Sequence, residues 1–150
     1  MKRMKIVAAV TVLLSVGFFV NLTLAESEGI IKYRQNVMKT NGGHMGAIMD
    51  ILKNRLPLEA HVLDHARSIQ QNSKMTLEMF PKGSGFGDTK AKPAIWENWS
   101  KFESAVNVFV RESSKLVKVA ESGDMKALAK QFRATGKTCG GCHKNFKKRE

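Results

Sequence analysis

The sequence predicts an all-α protein, an antiparallel up-down-up-down four-helix bundle, and three observations predict it. Apolar residues recur in steps of three and four over long stretches. No run alternates apolar and polar residues as a half-buried strand does, and no Asn-Gly or Asp-Gly pair joins two β-branched runs. The breaks between the periodic stretches fall at segments rich in proline and glycine.

The first 25 residues are set apart from the bundle. Met1-Lys2-Arg3-Met4-Lys5 is a basic start, Ile6 to Val20 is apolar, and Asn21-Leu22-Thr23-Leu24-Ala25 ends in a small residue suited to cleavage. This reads as a signal peptide removed after about Ala25, with a bundle domain over 26–150. The competing reading is an uncleaved anchor, since Ile6 to Ala25 is barely long enough to span a bilayer. The polar Asn21 and Thr23 and the hydrophilic chain after them favour cleavage, and hence export to a periplasm.

Helix one is predicted over about Glu28 to Asn54, where Ile31, Arg34, Met38, Asn41, Met45, Ile48 and Leu52 form one seam. Asn41-Gly42-Gly43 is a place where it can bend. Pro57 suits the first turn of helix two, whose stripe is Leu58, Val62, Ala66, Ile69, Ser73, Thr76 and Phe80. Pro81 to Asp88 breaks the period, and the loop persists to about Pro93, which suits the start of helix three. That helix has the strongest pattern: Trp99, Phe102, Val106, Phe109, Ser113, Leu116 and Ala120. Gly123 ends it, and Asp124 is a good N-cap for helix four. Met125, Leu128, Phe132, Thr135, Cys139, Cys142 and Phe146 make the last seam. The connections are short enough for neighbouring helices to run antiparallel.

The chemistry is concentrated in Cys139-Gly140-Gly141-Cys142-His143. C-x-x-C-H is the attachment signature of c-type haem. Two thiols add across the two porphyrin vinyl groups as thioethers, and the following imidazole ligates the iron. On a helix, Cys139, Cys142 and His143 share one face, while Gly140 and Gly141 point away at about 1 kcal/mol each in helix propensity. A zinc site of the usual kind needs four ligands, and no second cysteine pair exists. A thioredoxin-type pair belongs in a βαβ pattern, which is absent here. One covalent haem c is therefore expected, with His143 as proximal ligand. Both cysteines are then used, so no structural disulfide remains, and export fits a haem attached outside the cytoplasmic membrane.

The chain carries a net charge of +12, of which Lys2, Arg3 and Lys5 contribute three, leaving +9 after the leader. Lys137, Lys144, Lys147, Lys148 and Arg149 surround the motif. Such a surface steers acidic redox partners or an anionic membrane towards the cofactor; the plainer account is a solvated helix end that suits the helix dipole. Export and the lack of any nucleic-acid-binding motif argue against nucleic acid as a partner.

With these residues in view, the chain resembles the class II c-type cytochromes, the cytochrome c′ family. The resemblance rests on Tyr33-Arg34-Gln35-Asn36-Val37-Met38-Lys39, the glycine-rich Gly83 to Asp88, Lys92-Pro93-Ala94-Ile95-Trp96 and the terminal Cys139 to His143. It implies a four-helix bundle, a fold for which cytochrome c′ is a standard example, and a homodimer through the first two helices. It also implies that Arg34 and Gln35 lie near the haem propionates. Arginine within an apolar seam independently calls for a counter-charge, unless its guanidinium reaches out to water at the bundle end. Many relatives carry arginine four residues after the proximal histidine; Lys147 stands there, a mobile point charge in place of a planar fork.

The sixth iron position separates two functions. In the family this resemblance points to, relatives with methionine on the first helix can be six-coordinate electron carriers, and some five-coordinate members carry a non-bonded methionine there. Members with an apolar side chain leave the position open and bind nitric oxide or carbon monoxide. Met38 is the matching residue, and the sequence favours it as a distal ligand in a one-electron carrier. The alternative is a five-coordinate, gas-binding protein in which Met38 only fills space beside an open iron. His44, His61 and His65 are weaker candidates: His44 is turned away from Met38, and His61 with His65 offers a surface metal only two ligands. No acid–base residue is placed above the iron, so the sequence gives no support to an enzyme.

Overall fold

A computed structural model describes the backbone over 2–149 and the side chains over 25–149. The leader read at 1–25 thus lies almost entirely outside the described side chains. Five helices follow one another: α1 (Lys2–Asn54), α2 (Glu59–Met75), α3 (Ala94–Glu97), α4 (Trp99–Ser122) and α5 (Met125–Phe146). A single 3-10 turn, Leu77–Met79, follows α2. Among the described residues there is no strand, only an antiparallel bridge between Ala91 and Lys147.

The long helices α1, α2, α4 and α5 form the four-helix bundle. Three boundaries differ from the sequence reading. Helix α1 begins at Lys2 rather than near Glu28, while it runs through Gly42 and Gly43 as the single helix expected. The second helix closes at Met75, and the chain tightens into the 3-10 turn that buries Met79 and Phe80. The third breaks at Asn98 into the one-turn α3 and the long α4, so Pro93 starts a separate turn that buries Ile95. The α4–α5 corner follows its residues: Gly123 is left-handed at φ 70°, and Asp124 accepts from the amides of Lys126 and Ala127 at 2.9 Å.

The core has two parts. At the closed end, Ile48, Ile51, Val62, Ala66, Ile69, Leu116, Val117, Leu128 and Phe132 pack together. At the other end, Met79, Phe80, Ala91, Ile95, Phe102, Val106 and Phe146 pack, with Met38, Trp96 and Cys142 partly buried against them. Buried hydroxyls lie along the bundle interior: Ser73 and Ser113 meet at 2.9 Å, and Thr135 donates to carbonyls of Glu112 and Gln131. Helix α4 packs extensively along α2 and α5, and α1 packs along α2, whereas α1 and α5 touch sparsely. The bundle is therefore open along the seam between its first and last helices.

Candidate haem site

A cleft of about 490 Å³ opens along that seam, within the range typical of small-molecule sites. Helix α1 contributes Arg34, Gln35, Met38 and Lys39; α5 and its end contribute Cys142, His143, Phe146 and Lys147. Phe80, Ile95 and Phe102 supply apolar surface, and Phe102 meets Phe80 and Phe146 edge-on at 4.9 and 5.3 Å. Five of the six site residues expected from the sequence thus line one cleft. The sixth, Cys139, is half-buried one turn back along α5, its Sγ 3.8 Å from the Thr135 carbonyl. A larger trough of about 1290 Å³ lies between the 26–33 stretch of α1 and the 81–88 loop, and it holds neither thiol nor His143.

Both thiols are unpaired. Burial raises the Cys139 pKa, and burial reinforced by Cys139 pushes Cys142 up to about 11. Before haem is attached, the thiols therefore stay protonated at neutral pH, as in an apolar pocket wall. His143 remains exposed at the cleft, where partial burial and the charge of Lys147 hold its pKa below the ordinary value. Gly140 and Gly141 face open space, which keeps the motif's sulfur-bearing side turned inward.

Arg34 is 3% exposed. Its Nη1 donates to Ser84 Oγ at 2.8 Å and its Nη2 to the Ser84 carbonyl and Thr89 Oγ1 at 2.6 Å each; a longer contact reaches the Met79 carbonyl. The guanidinium also lies 4.8 Å from the centre of the Phe80 ring. All these acceptors are neutral, and no ion pair to Arg34 is found among the described residues. Burial alone lowers its pKa.

The arginine thus clasps the glycine-rich loop, and Gln35 does the same by donating to the Asp88 carbonyl at 2.8 Å. Trp96 completes the clasp: its Nε1 donates to the carbonyls of Phe80 and Pro81 at 3.1 Å. A Cβ on Gly85 would lie 2.7 Å from the Trp96 ring, so only glycine fits there. Thr89 and Ser84 were missed by sequence reasoning. The available signal was one hydroxyl residue within a glycine-rich loop and one just after it, opposite a seam arginine. The chain from Lys90 to Lys92 then pairs with the end of α5: Lys92 donates to the Phe146 carbonyl and Lys148 to that of Lys90.

The residues fit a haem. Two thiols and an imidazole stand on one helix, the walls are aromatic, and four cationic side chains line the cleft against the single carboxylate of Asp88. A buried cation without a carboxylate partner is costly, and a dianionic edge of a cofactor would supply the missing charge.

Comparison with known proteins agrees. The family model described as Cytochrome C′ matches residues 29–147. The chain is 34% identical over 148 residues to a cytochrome c′ of Rhodospirillum rubrum, covering 98% of this chain and 99% of the relative. It is 32% identical to a cytochrome c-556 of Agrobacterium tumefaciens, covering 79% and 97%. A solved nitric oxide complex of a variant cytochrome c prime from Alcaligenes xylosoxidans superposes with a TM-score of 0.77 at 26% identity, over 83% of this chain and 97% of that one.

Proposed function

The chain belongs to the cytochrome c′ family and carries covalent haem c, and from that premise we propose that it is an exported one-electron carrier with His143 and Met38 as axial ligands. Bound haem supplies a one-electron couple whose potential follows its axial ligands. The observation that carries the reading is the position of Met38. It is half-buried on the α1 wall of the cleft whose α5 wall bears Cys142 and His143, one turn from Arg34. Of the cleft-lining residues it is the only thioether. Arg34 and Gln35, which already hold the loop, would place their donors towards the propionates. Phe80, Ile95, Phe102 and Phe146 would exclude water from the ring.

A second reading has its own support. Cytochromes c′ and c-556 are matched at nearly equal identity, and the similar Alcaligenes xylosoxidans structure is a nitric oxide complex. On that reading Met38 is a filler that swings aside, and the apolar cleft admits a diatomic gas.

Optical spectra of the holoprotein separate the two. The expected result is a low-spin ferric form whose reduced state is unmoved by carbon monoxide, with Met38→Ala turning high-spin and gas-binding. A high-spin wild type that takes up carbon monoxide would overturn Met38 ligation in favour of the open iron.

Export belongs to the same reading. The family match begins at residue 29, after the basic-then-apolar leader. Among the described residues of 25–149 no helix is long and apolar enough to cross a membrane, which leaves Ile6 to Val20 aside. Lys137, Lys144, Lys147, Lys148 and Arg149 are all exposed around the site, a surface for an acidic redox partner. Tyr33 and Met49 on α1 and Leu58 before α2 are large exposed apolar residues, which fits a homodimer through these two helices.

A further inference from the structure

His44 on α1 and His65 on α2 are 21 positions apart in sequence, yet their Nδ1 atoms lie 3.0 Å apart, with ring centroids 5.2 Å apart and planes tilted by 47°. Two ring nitrogens cannot face each other at that distance with both lone pairs bare. A ring proton or a metal ion must lie between them. We propose that this pair is a binding site for a divalent late transition metal, Cu(II) or Ni(II), bridging α1 and α2.

The spacing is that of an ordinary N–H···N hydrogen bond, and it also suits one metal geometry better than another. Two metal–imidazole bonds of about 2.0–2.1 Å place their nitrogens about 2.9 Å apart at a right angle and about 3.4 Å apart at the tetrahedral angle. The observed 3.0 Å is nearer the right angle, the cis arrangement of tetragonal Cu(II) and Ni(II). Copper also stands highest in the general affinity order for such ligands.

The ligands are held in advance. Asn72 on α2 donates to Asn41 on α1 at 2.9 Å, about one turn from the pair along α1. Ile48 on α1 and Val62 on α2 pack into the core on its other side. Both rings are half-buried, and His44 has its pKa held below the ordinary value by burial first and His65 second, so it is neutral and able to ligate at neutral pH. Among the described residues no third His, Cys, Asp or Glu completes a cluster, so the other positions would be left to water. His61, exposed one turn before His65, is the alternative partner on α2 alone.

The test uses the oxidised holoprotein, whose iron already engages His143. Ni(II) is titrated calorimetrically, and Cu(II) is examined by electron paramagnetic resonance for two coupled nitrogens. The expected result is one metal ion per chain. His44→Gln and His65→Gln should each weaken binding by at least about tenfold, the loss that even an outer partner of a metal site causes, and His61→Gln should leave it unchanged. Ni(II) should raise the thermal midpoint of the wild type but not of the two weakened variants; circular dichroism shows that these remain folded. Absence of binding by the wild type would leave a shared proton as the sole occupant and overturn the proposal. So would binding kept in His44→Gln and lost in His61→Gln, which would place the ion on α2 alone.

Discussion

The two ends of the bundle are built on different principles. At the closed end, nine buried side chains pack from all four long helices, and every one is apolar. At the other end the core is aromatic and half open, and its cleft is lined by four cations, an exposed imidazole and a thiol. The closed end is complete as a folded object, because its apolar groups satisfy one another. The open end leaves aromatic walls, Cys142 and His143 along a cleft that an apolar cofactor would complete. One chain thus separates a part held by its own packing from a part that the haem would finish.

Substitutions at the two ends should therefore respond differently to haem. The largest stability effect is expected at the closed end. Leu116 is 0% exposed, and Leu116→Ala should cost about 2–5 kcal/mol. Chemical denaturation should give a similar cost in the holoprotein and in a chain whose two motif cysteines are alanine. A much smaller cost without haem would mean that the closed end does not fold on its own packing, and the contrast would fail.

Arg34→Leu should act at the other end. It leaves buried oxygens of Ser84 and Thr89 without their donor, at about 1–3 kcal/mol for such a group, partly offset by no longer burying a charge. The loss should be greater with haem attached than without, and hydrogen exchange should quicken at the 81–90 amides while those of α4 stay protected. Equal loss in both forms would show that the arginine serves the loop alone.

Asp124→Ala removes the cap from the first turn of α5 and should cost about 1 kcal/mol. The haem spectrum should not change, since the cap lies at the opposite end of α5 from the motif.

The smallest effect concerns pH. His44 titrates below its ordinary value in the fold, so on acidification the unfolded chain takes up the proton first. Its contribution to stability is complete above about pH 6.5. It is lost as pH falls from there through the lower folded value, and is flat below that. The thermal midpoint measured without added metal should show this fall, and His44→Gln should remove it. A fall of the same size in the variant would assign it to another group.

Much of this was legible in the sequence. The closed end could be read because burial imposes a period on each helix separately: Ile48, Val62, Ile69, Leu116 and Leu128 were all placed on seams and all are buried. The cofactor was legible because attachment needs three residues within five consecutive positions. Helix ends were less so. Asn98 breaks the third helix although nothing in its sequence marks a stop, and Pro93 governs only the short turn before that break. Gln35 was expected near the propionates, and no helix period could have given its bond to the Asp88 carbonyl, 53 positions away.

The sequence by itself determined the helical class, the amphipathic seams and the tail that carries haem, since these follow from local period and from covalent chemistry at fixed spacing. Only the tertiary structure decided what Arg34 holds and that His44 meets His65, partners 50 and 21 positions apart. It also decided that α1 and α5 stand apart to leave a cleft. Such pairings depend on how the helices turn and cross, which side-chain periodicity leaves free, and packing of the whole bundle fixes them at once.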